Sequence, residues 1–141
     1  MLDDIYNNRI LEFAAHIDRL GRLEQPDASA KKHSKLCGST ITVDIKVQNG
    51  AISDFAQDVH ACALGQASAS MMARHIIGLR TDELYALRNQ VYEMLTNNGE
   101  PPTGKFADFA ILQPIKDYKA RHASTMLVFD AVVDCLEQLE K

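Results

Sequence analysis

The chain has 141 residues, enough for one ordinary domain with little room for a second. Its composition, 46% hydrophobic and 24% charged, is that of a globular domain and argues against a disordered, collagen-like or coiled-coil chain. A net charge of −4 without a strong basic cluster argues against a nucleic-acid partner, and no apolar run is long enough to cross a membrane. The N-terminus lacks the features of a signal peptide. We therefore expect a single domain over residues 1–141 that stays in the cytoplasm.

The first predicted element is a helix from Leu2 to about Leu20, because its apolar residues recur at helical spacing. The polar stretch that follows, Gly21 to Lys35, contains few large apolar residues. Its composition predicts an extended loop that leads into the next element.

A β-hairpin is the clearest local signal in the chain. Polar and apolar residues alternate from Thr40 to Val47, which predicts a half-buried strand. The next dipeptide, Asn49-Gly50, is preferred in two-residue hairpin turns, so Ala51 to about His60 is predicted as the antiparallel return strand. The large apolar residues of that strand have opposite parity, and burying both requires a bulge near Ser53-Asp54.

Helices dominate the rest of the chain. A small-residue helix is predicted to begin at Cys62 and to stop near Gly78. Thr81 is the expected N-cap of the next helix, and a short helix precedes Pro114. The last helix is predicted from about Arg121 to Leu139. The fold class is therefore α+β, with a small antiparallel sheet of two to three strands packed against four to five helices.

Three cysteines, Cys37, Cys62 and Cys135, are the residues most able to carry chemistry. Their odd number, wide spacing and expected reducing compartment argue against a disulfide framework and leave thiol or metal chemistry. Cys62 is expected at a helix N-terminus, where unpaired N–H groups favour a thiolate. His60 is a nearby nitrogen ligand or proton carrier. From the spacing alone, a small buried hydrophobe is the favoured interpretation of each cysteine.

Five motifs follow one another in an order that resembles a known family. They are Gly21-Arg22-Leu23-Glu24-Gln25-Pro26-Asp27-Ala28, Leu36-Cys37-Gly38, Ala61-Cys62-Ala63, Ala67-Ser68-Ala69-Ser70-Met71-Met72 and Pro114-Ile115-Lys116-Asp117-Tyr118-Lys119-Ala120-Arg121. Together they resemble the scaffold family of iron–sulfur cluster assembly, the NifU N-terminal, IscU and SufU type. The resemblance covers nearly the whole chain, and the stretch that begins at Cys62 is its most specific part.

The resemblance implies a protein that collects iron and sulfur and does not itself turn over a substrate. The sulfur would come from a cysteine desulfurase, and the labile cluster would pass to iron–sulfur acceptor proteins. In the SufU-like branch, a zinc-bound protein accepts sulfur instead. The expected cofactor is thus an iron–sulfur cluster or iron, alternatively zinc, or none, and the expected state is a monomer or a weak homo-oligomer.

Family members use three cysteines and an aspartate at the site, and this chain departs from that set twice. The first two cysteines match Cys37 and Cys62. The family aspartate, two residues after the first cysteine, is replaced by Ser39. The third cysteine is replaced by Ser124 when the motif is read without a gap, or by Ala123 after a shift of one residue.

The expected ligands are therefore Cys37 and Cys62, to which four weaker candidates are added. Two thiolates and one histidine suit a zinc site with an open position, whereas a [2Fe–2S] cluster needs four ligands, mostly thiolates. Cys135 lies about 16 Å beyond Ser124 along a helix, and we expect it in the core. The weaker candidates are His60, His122, Ser39 and Ser124.

Three functions remain open at this point. The first is a scaffold-like protein that binds iron, a cluster or zinc and accepts sulfur through Cys37 and Cys62. The alternative is a degenerate scaffold paralogue without a cluster, which modulates a cysteine desulfurase or a true scaffold by binding it. The third is a thiol enzyme that uses Cys62 with His60.

Overall fold

A three-stranded antiparallel sheet forms the base of the fold, in the order β1-β2-β3. The computed structural model describes residues 7–35 and 38–140. The strands are β1, Ala28–Ser34, β2, Ser39–Gln48, and β3, Ala51–His60. Both strand pairs are antiparallel, so the predicted α+β class with a small antiparallel sheet is confirmed.

The predicted hairpin joins β2 to β3 through a two-residue turn. Asn49 and Gly50 have φ angles of 55° and 79°, in the left-handed region that this turn requires of both central residues. The pairing of β2 with β3 shifts between Lys46 and Val47, so that Ser53 has no partner. This is the predicted bulge.

The polar stretch that was predicted as a loop contains the first strand, so that prediction was wrong. Ala28–Ser34 pairs along β2 as an edge strand. Its Ala28 and Ala30 side chains are buried but small, so the strand shows no conspicuous apolar alternation. Lys31 and Lys32 add charge, which is typical of an edge strand that must avoid pairing with another chain.

Within the described residues, four α-helices and a long 3₁₀ segment accompany the sheet. The first helix is shorter than predicted within the described residues, and ends at Ala15; residues 1–6 lie outside them. Arg80, not Thr81, caps the third helix, and its N–H donates to Glu83 Oε1 at 3.0 Å. The α-helices are α1, Asn8–Ala15, α2, Ala63–His75, α3, Thr81–Thr96, and α4, His122–Glu140; the 3₁₀ segment is Gly104–Asp117, followed by the 3₁₀ turn Lys119–Arg121.

The 3₁₀ segment replaces the short helix predicted before Pro114 and continues through that proline. Proline removes one backbone donor and disfavours regular α-helix. Three apolar side chains fix the segment to the helices instead: Phe109, Leu112 and Ile115 are all fully buried.

The core lies between the sheet and the helices, chiefly α4 and α2. Alternate residues of β2, Ile41, Val43 and Ile45, are fully buried. Cys135 of α4 is buried among them, with its Sγ 3.7 Å from the Val43 carbonyl oxygen. Leu139, one helical turn further, is 41% exposed, so the buried face of α4 does not extend to its last turn. In the part of the chain that the structure describes, no helix combines the length and apolar character that crossing a bilayer demands.

Candidate functional site

Cys62 occupies the junction between the end of β3 and the start of α2. It is the residue before the first helical one, with φ −67° and ψ 172°, so the chain is extended there and turns into the helix immediately afterwards. The first N–H groups of a helix have no partner within it. The half-buried Cys62 thiol therefore lies where backbone donors are available to a negative charge.

Two buried serines contact Cys62 from other elements. The Cys62 N–H donates to the Ser39 hydroxyl oxygen at 3.2 Å, and Cys62 Sγ lies 3.5 Å from Ser124 Oγ. Ser39 is 1% exposed and Ser124 is 0% exposed, whereas Ala123 is exposed. The structure thus brings together three of the positions that the family resemblance singles out, one each from β2, the α2 terminus and α4.

The sulfur of Cys62 is surrounded by hydrogen-bond donors. Burial alone would raise the pKa of this thiol. The Ser124 hydroxyl, the N–H groups of Gly65 and Leu64 and the Ser39 hydroxyl act in the opposite direction and lower the Cys62 pKa below its ordinary value of 9.0. Thiolate is the form of cysteine that attacks electrophiles and binds metals.

The first turn of α2 approaches α4 closely because residue 65 is glycine. A Cβ atom at Gly65 would lie 2.8 Å from Ala61 Cβ and 3.2 Å from the Ser124 carbonyl oxygen. Any side chain would therefore overlap Ala61 and press against the Ser124 backbone, which we expect to shift Ser124 relative to Cys62. Sequence analysis missed this residue, and its only signal was a glycine in the first turn of a helix, where it lowers helix propensity.

We expect the Gly65→Ala substitution to destabilise the protein by about 1–3 kcal/mol, as overpacking of a tight contact does. It should also slow alkylation of Cys62, because the Ser124 hydroxyl moves away from the sulfur. Urea unfolding and mass-resolved alkylation measure the two effects. Gln66→Ala, in the same helical turn but half-buried, is the matched control and should change neither. Equal behaviour of the two variants would contradict the packing argument.

The two candidate histidines are engaged elsewhere. The His60 side chain is 73% exposed and pairs with Asp58, Nε2 to Oδ1, at 3.0 Å. His122 Nε2 lies 3.0 Å from the Ile115 carbonyl oxygen and 3.1 Å from that of Lys116, so this nitrogen is placed to donate a hydrogen bond to them. The contacts found for these histidines do not include Cys62.

A further serine lies beside the site. Ser34 is the partner of Ser39 across the β1–β2 ladder, and its buried hydroxyl has no hydrogen-bond partner among the described residues. Residues 36 and 37, and with them Cys37, lie outside the described residues. No sequence motif pointed to Ser34.

The donor set determines what this site can hold. Over residues 7–35 and 38–140, no three His, Cys, Asp or Glu side chains are grouped around a common point. Around Cys62 the neighbours are hydroxyls, which lack the softness of thiolates toward iron and zinc. Among the described residues Cys62 is the one thiol at this site, whereas a [2Fe–2S] cluster needs four ligands, mostly thiolates, so the described side chains do not fit a complete cluster.

Comparisons with known proteins agree with the motifs. The family model described as the NifU-like N terminal domain matches residues 5–125. The chain is 28% identical over 138 residues to the iron–sulfur cluster assembly scaffold protein IscU of Thermotoga maritima, covering 97% of this chain and 96% of that protein. It is 22% identical over 137 residues to the protein of the same name from Streptococcus pyogenes, covering 97% and 86%.

A crystal structure gives the same result. The N-terminal part of a nitrogen-fixing NifU-like protein from Brucella abortus is 59% identical, with a TM-score of 0.96, over 99% of this chain and 96% of that one. The family model alone covers most of the sequence. The chain therefore belongs to the family of NifU-like N terminal domains.

Proposed function

We propose that the chain is a scaffold-like protein of iron–sulfur cluster assembly, which accepts sulfur at Cys62 with Cys37 as the second thiol. The observation that carries this proposal is the Cys62 sulfur at the start of α2, hydrogen-bonded and with a lowered pKa. The scaffold names of the IscU relatives support the same role.

The chemistry is a transfer of one sulfur atom. The Cys62 thiolate attacks the outer sulfur of a persulfide on a cysteine desulfurase. The sulfur–sulfur bond of the donor breaks as the new one forms on Cys62, and the donor cysteine leaves as a thiolate. The protein carries the sulfur to an iron–sulfur acceptor protein and is not itself an enzyme, and the cytoplasm, where thiols stay reduced, suits this chemistry.

Iron, a cluster or zinc would be cargo bound through Cys37 and Cys62. Because two thiolates fall short of a complete ligand set, the remaining ligands would come from water, a histidine or the partner protein.

The test is sulfur loading by a desulfurase in the presence of free cysteine, read by peptide mass spectrometry under non-reducing conditions. We expect one added sulfur atom on Cys62. The Cys62→Ala variant should accept none there, and the Cys135→Ala variant should load normally because Cys135 is buried in the core. Sulfur spread evenly over the cysteines, or absent from all of them, would refute the proposal.

A second candidate function is supported by the serines at positions 39 and 124. If the site carries no sulfur, the same fold would serve as a protein-binding modulator of a cysteine desulfurase or of a true scaffold. Such binding does not require thiols. A variant with alanine at both Cys37 and Cys62 should then still bind the desulfurase in a pull-down, whereas loss of binding in that variant would exclude a thiol-independent modulator.

A further inference from the structure

The Ser124 hydroxyl lies between two acceptors. Its Oγ is 3.5 Å from Cys62 Sγ and 3.3 Å from the Arg121 carbonyl oxygen. A serine hydroxyl has one proton to donate and can rotate. While Cys62 is a thiol, its S–H donates to Ser124 and the hydroxyl proton points to the carbonyl. When Cys62 bears an anionic sulfur, the same proton can point to the sulfur.

Rotation of Ser124 leaves no buried acceptor without a partner. Thr125 Oγ1 donates to the same Arg121 carbonyl oxygen at 2.8 Å, and both Ser124 and Thr125 are fully buried. An orphaned buried acceptor would carry a large desolvation penalty. Because Thr125 keeps the carbonyl satisfied in either state, the Ser124 proton is available to the sulfur at little cost.

Ser124 Oγ also lies at about the distance from Cys62 Sγ that a second ligand of the same metal would have. Neighbouring thiolates of a tetrahedral zinc site, with Zn–S bonds of about 2.3 Å, are about 3.8 Å apart, close to the 3.5 Å between Cys62 Sγ and Ser124 Oγ. A cysteine at position 124 would complete a pair of soft ligands. The serine instead provides a hydrogen-bond donor at this position, and its oxygen lacks the softness of a thiolate ligand.

We propose that Ser124 is a positioning residue: its hydroxyl suits Cys62 to accept a single sulfur atom, and it leaves any metal bound there with one soft ligand fewer. Its hydroxyl donates to the Cys62 thiolate that attacks the persulfide, and returns to the Arg121 carbonyl when the thiol is restored. The inference rests on the proposed sulfur acceptance, which it deepens by naming the residue that selects sulfur.

The first test uses glutathione persulfide as the sulfur donor and follows loading of Cys62 by mass spectrometry. We expect Ser124→Ala to load about tenfold more slowly, the effect of losing one hydrogen bond to a charged group. Ser124→Thr keeps the hydroxyl and should restore most of the rate. Ser70→Ala is the matched control, since Ser70 is a buried serine whose hydroxyl donates to the His16 carbonyl oxygen at 2.9 Å; it should load like the parent.

The second test measures Zn²⁺ affinity by competition with a chelator. We expect Ser124→Cys to bind Zn²⁺ at least about tenfold more tightly than the parent, because it adds a thiolate at ligand spacing. Unchanged affinity in this variant, or equal loading of the parent and Ser124→Ala, would overturn the inference. Failure of the parent itself to accept sulfur at Cys62 would instead refute the proposed function. Urea unfolding of each variant confirms that it is folded.

Discussion

Iodoacetamide should alkylate Cys62 of the folded protein at least about a thousandfold faster than Cys135 near neutral pH. The thiolate content of the two residues differs strongly, because each unit of pKa changes it about tenfold, and the burial of Cys135 keeps the reagent away in addition. The pKa of Cys62 is lowered below its ordinary value. Burial, with smaller effects of Asp134 and Asp44, raises the pKa of Cys135 to about 12. Peptide mass spectrometry after timed quenching measures both rates in one sample.

The pH dependence of the Cys62 rate has a definite sign. A lowered pKa means that the thiolate persists as pH falls, so the rate should stay high at pH values where an ordinary cysteine has already become a thiol. The unfolded chain is the internal control, since in denaturant Cys62 and Cys135 should react alike. Comparable rates for the two cysteines in the folded protein would contradict the placement of Cys135 in the core.

Replacement of Asp44 is expected to have the largest effect on stability. This carboxylate on β2 is 0% exposed and accepts from Arg22 Nε at 2.7 Å, from the Leu23 N–H at 3.0 Å and from the Ser29 hydroxyl. Asp44→Ala leaves the Leu23 N–H and the Ser29 hydroxyl without their acceptor and removes the ion pair with Arg22, whose side chain is 56% exposed. We expect a cost of about 2–3 kcal/mol, chiefly from the donors left without a partner. Urea unfolding at neutral pH measures this loss. Asp54→Ala, which removes a half-exposed carboxylate paired with Arg19 at 3.7 Å, is the control and should cost far less.

The same carboxylate links stability to acid pH. Burial raises the pKa of Asp44, but hydrogen bonds from Arg22, Ser29 and Leu23 outweigh it, so the pKa in the folded state lies below the ordinary value of 3.8. Its contribution is therefore present above the pKa of the unfolded state and is lost as pH falls through the folded one. The difference in stability between the parent and Asp44→Ala should shrink in that acid range. A difference that stays constant would show that the carboxylate charge is not the cause.

Local sequence patterns predicted the parts of the fold that depend on local geometry. The β2–β3 hairpin, its Asn49-Gly50 turn and the unpaired residue at Ser53 all follow from alternation, turn preference and parity. The edge strand β1 did not, because its buried residues are alanines and its pairing partner lies further along the chain. The helix ends were similarly approximate: Arg80 became the cap because Glu83 reaches its N–H.

The candidate site was predictable only in part. The position of Cys62 at a helix start followed from the change in sequence pattern, and Ser39 and Ser124 were found through the family resemblance. The contacts of both serines with Cys62 depend on the whole fold. The same holds for the role of Gly65, whose missing side chain lets α2 approach α4. His60, predicted as a nearby ligand or proton carrier, is instead largely exposed and pairs with Asp58. The role of Cys37 stays a prediction.

The contact between Cys62 and Ser124 joins residues that are 62 positions apart in the sequence. Bringing such distant residues together costs loop-closure entropy. The chain meets this cost when the segment between the two residues becomes ordered as part of the fold. Here α3 and the long 3₁₀ segment lie between the two residues. The reactive form of Cys62 is therefore a property of the assembled molecule. A nascent chain that already contains the cysteine, but not yet α4, lacks the Ser124 hydroxyl that helps to lower the Cys62 pKa, and the full reactivity of the thiol appears only when α4 has packed.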